Sequence, residues 1–175
     1  MRKQLFLRLL CVLLPGMAMA QETKVQITDK ISILFPEKPA VRDIQGVATL
    51  HTLRLADSTA NFNVVVSNLE KSNGFTAEVL AAAQLEPEFW EQAEAGFVGQ
   101  LGAGATVAKK EVKDLHGRQT LVMTVNSMAG GKPSELTVYI FLEGVYSVNV
   151  VHSKRNDQAS LALRDKFFAS LTMAE

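Results

Sequence analysis

Three histidines, at positions 51, 116 and 152, are the side chains of this sequence best suited to proton transfer or metal ligation near neutral pH. Metal centres and nucleophilic triads need imidazole, thiol or carboxylate groups that converge, and no pair here has the helical spacing of an HExxH site. His116, followed by Gly117, reads as a turn residue. His152 reads as a strand-end side chain at a rim, and strand parity puts His51 on the face of Val47, Leu53 and Leu55, partly buried. Ser67, Ser127 and Ser153 lack the GxSxG surroundings of a hydrolase elbow. A phosphate loop must follow a strand and open a helix, whereas Gly102-Ala103-Gly104 follows a helical stretch and reads as its end. Gly130-Gly131-Lys132 lacks P-loop spacing, and Pro133 removes an N–H that phosphates would need. No catalytic, cofactor or metal site is therefore expected, and the chain reads as non-enzymatic.

What remains is recognition chemistry. Glu86, Glu88, Glu91 and Glu94 form an acidic group without the alternating ligands of a calcium loop, so a solvated helix face is the simpler reading and a basic partner the sharper one. Trp90 adjoins an apolar stripe, which favours the core; exposed, it would be an interface anchor. The candidate interaction surface is accordingly Glu86, Glu88 and Trp90, together with Gly130, Gly131 and Lys132 in a flexible link spanning Ala129 to Pro133.

The elements that would carry these residues follow from hydrophobic periodicity. Leu136 to Ser153 holds two β-branched and aromatic runs separated by Glu143-Gly144, predicting an antiparallel hairpin with a type I′ turn and with Leu142 opposite Val145. Tyr139, Phe141, Tyr146, Val148 and Val150 share one face; Leu136, Val138, Ile140, Leu142, Val145 and Val151 share the other. A ribbon apolar on both faces belongs in the middle of a covered sheet. Ile31, Ile33 and Phe35 mark an earlier strand that Pro36 stops, and 36–40 crosses in extended conformation to a strand pair, Val47–Leu55 and Phe62–Leu69, joined by Asp57-Ser58-Thr59. After a loop at Ser72-Asn73-Gly74 the period becomes helical: Thr76 caps one segment, and Pro87 starts a second, whose Phe89, Ala93, Phe97 and Leu101 form a buried stripe. A lysine-bearing edge strand, Val107–Asp114, turns at His116-Gly117 into Gln119–Ser127, and Asp157 caps a last helix with Leu163, Phe167 and Leu171 on one side. The fold class is α+β, a central antiparallel β-sheet with helices packed on its faces.

Ile33-Leu34-Phe35-Pro36 with Pro39, a mid-chain helical insertion, Leu115-His116-Gly117, the FLEGVYSVNV strand pair and a final helix ending in Phe168-Ala169-Ser170-Leu171 together resemble the PsbP-like and DcrB-like proteins. The resemblance covers nearly the whole chain after its leader, in pattern more than identity. It implies an α/β/α sandwich in small exported or lumenal proteins that mostly bind other proteins, among them a photosystem subunit, a Ran-binding nuclear factor and bacterial envelope proteins. It transfers no binding residue, and a shared fold does not select a function.

Residues 1–20 read as a signal peptide: Arg2 and Lys3 precede an apolar run, Pro15-Gly16 breaks it, and Ala18-Met19-Ala20 supplies small residues before an expected cut after Ala20. Leu9-Leu10 before Cys11 disfavours a lipoprotein. Residues 21–175 then form one domain without cysteine, with fifteen basic residues against eighteen acidic ones once Arg2, Lys3 and Arg8 are removed. That mildly acidic balance argues against nucleic acid or an anionic membrane as partner. The expectation is a periplasmic or secreted accessory protein that binds another envelope protein, with no transmembrane segment after cleavage. The alternative is a small-ligand or lipid carrier with an apolar pocket between the long helix and the sheet, and a small enzyme is a third reading.

Overall fold

In the computed structural model the described residues are 22–56, 60–129, 132–154 and 159–174; the leader and its cleavage point, Cys11, Asp57-Ser58-Thr59, Gly130-Gly131 and Asp157 lie outside them. The strands are β1 Thr23–Gln26, β2 Ile31–Phe35, β3 Ala40–Ile44, β4 Ala48–Arg54, β5 Ala60–Asn68, β6 Thr106–Leu115, β7 Arg118–Ala129, β8 Lys132–Glu143, β9 Tyr146–Lys154 and β10 Thr172–Met173. The helices are α1 Leu69–Asn73, α2 Ala77–Ala83, α3 Pro87–Gln100 and α4 Ala159–Ala169. Seven strands form an antiparallel sheet in the order β3-β4-β5-β9-β8-β7-β6. The hairpin β8–β9 lies inside it, as its two apolar faces require.

Its turn differs in detail from the expectation. Glu143 pairs with Tyr146, so the connection is Gly144-Val145 and Phe141 faces Val148. Gly144 has φ +56° while Val145 is not left-handed, the type II′ pattern, in which glycine comes first. The slip is two residues, and because side chains alternate with period two the faces are unchanged. A type I′ turn does occur at His116-Gly117, where both residues have positive φ and the Asp114 carboxylate accepts the Gly117 N–H at 2.9 Å.

One face of the hairpin contributes Phe141, Val148 and Val150 to a cluster with Leu53, Phe62 and Val64 of the same sheet. This cluster is closed by α4, through Phe167, and by a feature not anticipated: β1, β2 and β10 form a separate three-stranded sheet carrying Ile31, Ile33 and Phe35. The strands thus fall into two layers where one was expected. Phe167 packs edge-on against Phe35 and Phe62 at 5.1 Å, bridging the layers. The opposite face sends Leu136, Val138, Ile140 and Val151 into a second cluster with Leu121, Met123 and Val125, closed by Trp90, Phe89, Ala93 and Phe97 of α3.

Several short elements also went unforeseen. β3 is exposed along its whole length and offers no apolar alternation to read. α1 ends at Gly74, whose φ of +76° permits the left-handed cap, and β7 and β8 reach Ala129 and Lys132, which pair, where a longer link was expected. Truncating a fully buried ring at the bridge between the layers is predicted to be costly: Phe62→Ala should lose about 3–5 kcal/mol of unfolding free energy in urea titrations, whereas Val41→Ser on exposed β3 should stay within about 0.5 kcal/mol of the parent.

Candidate functional site

The α2–α3 corner is where sequence, burial and shape converge. Thr76 caps α2 through the Val79 N–H, and Pro87 opens α3 at a position where its missing N–H costs nothing. The break leaves the Gln84 carbonyl without an i+4 helical donor. The Trp90 indole N–H fills that role at 2.9 Å, so the ring is 94 % buried and pins the corner to the sheet. Trp90 is therefore a core residue, and its exposed-anchor reading falls.

Beside it runs a groove of about 540 Å³ between the start of α3 and the β6–β7 edge. Leu85, Pro87, Trp90, Val112 and Leu121 supply its apolar lining. Leu85 is 74 % exposed and Val112 43 %, so the lining presents large aliphatic side chains to solvent. Glu91, Glu94 and Lys110 supply its charge; Glu111 borders it, but strand alternation sends its side chain to the opposite face, where its partner Lys113 lies over Tyr139. Lys110 donates to Glu94 at 2.5 Å, and that bond, helped by the charge of Glu91, raises the Lys110 pKa. Glu111 pairs with Lys113 at 3.3 Å, and Glu91 has no ion-pair partner among the described residues. Net negative charge thus rims an apolar floor.

The expected surface is only partly assembled here. Glu86 and Glu88 are exposed on the corner but do not line the groove, while Glu91 and Glu94 do. The signal was present in the spacing: Pro87, Trp90, Glu91 and Glu94 follow i, i+3, i+4, i+7, one helix face. Leu85, Lys110 and Val112 could not be grouped with them from sequence, because only the fold brings β6 beside α3. Lys132 begins β8, far from the groove: it pairs with Ala129 at one end of β7, whereas Leu121 lies eight residues back, about 26 Å at strand rise. Gly130 and Gly131 fall outside the described residues, so the two halves of the expected surface are not brought together by Lys132.

The histidines do not gather. His116 holds the β6–β7 turn and lines a hollow of about 460 Å³ beside α4, with Tyr139, Arg164, Asp165 and Phe168. His51 is buried on β4, which lowers its pKa. His152 is not at a rim: it is fully buried on β9, 4.9 Å from the Phe62 ring, with neither ring nitrogen hydrogen-bonded among the described residues. Among the described residues no group of three or more His, Cys, Asp or Glu could hold a metal ion. Ser127 is buried, its carbonyl accepting from the Ser134 hydroxyl at 3.3 Å.

Burial pushes His152 down to about 4, the cations Arg164 and Lys154 add to that, and Asp165 and Glu135 oppose it. A folded pKa below the unfolded value of about 6.5 means that the unfolded chain binds more protons between those values. Stability is then fully present above the unfolded pKa and is lost as pH falls. From pH 7 to 5 this one residue should remove about 2 kcal/mol. His152→Leu, which exchanges an unpaired polar ring for an apolar side chain, should match the parent at pH 7 and show that much less acid sensitivity in urea titrations; an identical pH slope in both proteins would refute the assignment.

No protein-family model matches the chain, and no curated protein matches its sequence. Solved structures do. The solution structure of cyanobacterial PsbP (CyanoP) from Synechocystis sp. PCC 6803 superposes with a TM-score of 0.56 at 15% identity, covering 90% of this chain and 95% of that one. The Saccharomyces cerevisiae Ran-binding protein Mog1p superposes at 0.51 with 11% identity, over 89% and 97%. At such identities the likeness establishes the fold: this chain has the PsbP-like α+β architecture, a large antiparallel sheet carrying helices.

Proposed function

We propose that this protein is a non-enzymatic binding module of the bacterial envelope, exported by its N-terminal leader and engaging another envelope protein through the groove beside Trp90. The observation that carries the reading is the groove's composition, since exposed Leu85 and Val112 adjoin a buried tryptophan under a carboxylate rim. Apolar anchoring surface ringed by polar groups is the anatomy of protein recognition sites. The histidines support it in a second way, being spread over a turn and two core positions rather than a shared cleft. The finer assignment to PsbP-like and DcrB-like exported proteins belongs to the same proposal and rests on the segments that resemble them. Fold neighbours include a Ran-binding protein, a precedent for recognition on this scaffold, at fold level alone.

A carrier reading has one observation in its favour, that the groove does lie between the long helix and the sheet. Its charged rim is a poor seat for a lipid tail, because Glu91 would be desolvated without an ion-pair partner. Native mass spectrometry of gently purified protein separates the readings, since a stoichiometric co-purifying lipid would favour the carrier.

Two measurements test the main proposal. The mature protein recovered from the envelope fraction should begin at Gln21; retention of residues 1–20 on cytoplasmic protein would remove the export step. A photo-crosslinking residue at Leu85 should give a discrete adduct with one envelope protein. The same residue at Arg54, exposed on the far part of the sheet, should not. Equal adducts at both sites, or none at Leu85, would overturn the groove as the contact surface.

A further inference from the structure

The groove is bounded on one side by an unpaired sheet edge, since β6 is the terminal strand of the seven-stranded sheet. Leu115 and Arg118 close the two-residue turn that joins β6 to β7, and the pair closing such a turn exchanges hydrogen bonds. Counting back along the alternating ladder, Lys113 and Glu111 direct their backbone groups to β7, while Val112 and Lys110 direct theirs outward. No other backbone hydrogen bond engages the Val112 or Lys110 amide among the described residues. These are also residues that line the groove. Free main-chain donors and acceptors therefore alternate, at strand period, along an apolar, acidic channel.

We propose that this edge captures an extended peptide by strand addition: the partner's backbone pairs with Lys110 and Val112, one apolar side chain enters the groove between Leu85, Trp90 and Val112, and a lysine or arginine two residues away meets Glu91. Strand addition takes affinity from main-chain bonds and specificity from pockets that receive alternate side chains. Period two sets the pattern, because only residues i and i+2 of the added strand point to the same face of the sheet. Charge sets the sign. Glu94 and Glu111 already have lysine partners, and Glu91 is left to receive an incoming cation. A second copy of this chain would pair β6 with β6 in a register that sets Lys110 opposite Asp114 and Glu111 opposite Lys113, and a concentration-dependent dimer abolished by Val112→Pro would overturn the peptide assignment.

The inference rests on the groove being a recognition surface, and the test separates the two ideas. A display library of random twelve-residue peptides is selected on the purified protein, and enriched peptides are titrated by fluorescence of Trp90, the chain's only tryptophan. Enrichment of a basic residue two positions from an apolar one is expected, with binding weakened at least tenfold by Val112→Pro. That proline deletes an outward N–H while sparing the ladder to β7, a substitution edge strands tolerate. Circular dichroism and the urea midpoint establish that the variant is folded, and N-methylation of the peptide backbone should weaken binding of the parent comparably if the variant is not. Hydrogen exchange at the Lys110 and Val112 amides should slow when peptide binds. Peptides displaced by Leu85→Glu yet indifferent to Val112→Pro and to N-methylation would overturn strand addition and leave the groove standing. Peptides indifferent to all three would remove both. Absence of any enrichment, or enrichment of helical i, i+3, i+4 patterns, would equally overturn the inference.

Discussion

Everything in this fold answers to one constraint: the β8–β9 ribbon is apolar on both faces and must be kept from water on both. Phe141, Val138, Val148 and Val150 have no accessible surface, although they point to opposite sides of the same two strands. Fully burying side chains of this size is worth roughly 1.5–3 kcal/mol each. A sheet with one wet face would forfeit about half of that gain. Two covers are required, and the chain builds them from different materials, helix α3 on one face and α4 with the small β1-β2-β10 sheet on the other.

The covers are displaced sideways from one another. The α4 cover sits over β4, β5, β9 and β8; the α3 cover sits over β6, β7, β8 and β9. Only the central hairpin is sandwiched twice, and each flank of the sheet keeps one open face whose side chains are polar to match. On the β4–β5–β9 flank that face carries Thr52, Asn61, Asn63 and Ser153, with Thr52 donating to Asn63 at 2.5 Å and Asn61 to Ser153 at 3.2 Å. The alternation of Phe62 and Val64 with Asn61 and Asn63 along β5 is thus the record of a cover on one side and water on the other.

Patterns of this kind are why much of the architecture was legible from sequence. The central hairpin, the α3 stripe, the edge position of β6 and the proline start of α3 each express a period or a cap that one segment carries by itself. The hairpin register was misplaced by two residues, yet the faces survived, since glycine can serve either position of a two-residue turn while the side-chain alternation cannot shift. What stayed hidden depends on distant partners. β10 is a two-residue strand held by Ser32 and Thr172 hydroxyls 2.6 Å apart, and β1–β2 leave the main sheet because α4 and β10 give them another place to pair. Parity sets His51 on the face of Leu53 and His152 on that of Val148 and Val150, but depth is not local: the neighbouring strands and α4 decide that His152 is interior rather than at a rim. The candidate site was half legible for the same reason, with the helical face 87, 90, 91, 94 readable and its β6 wall not.

The groove exists because the two helical segments do not fuse. A continuous helix from Ala77 to Gln100 would carry its own hydrogen bonds and lie across the sheet as one rod, and Leu85 would join a regular face. Pro87 forbids this by lacking an N–H and by disfavouring helical geometry at Glu86, which is extended with φ −94° and ψ 133°. Trp90 then turns a break into a fixed angle, its indole N–H holding the Gln84 carbonyl while its ring packs on Leu121 and Met123 of β7. Leu85, caught in the bend, is left in solvent above β6 because the corner that would bury it is held open from below. The exposed leucine and the buried tryptophan are consequences of the same proline, which is why the most solvent-accessible aliphatic side chain among the exposed large hydrophobics stands over the best-anchored aromatic one.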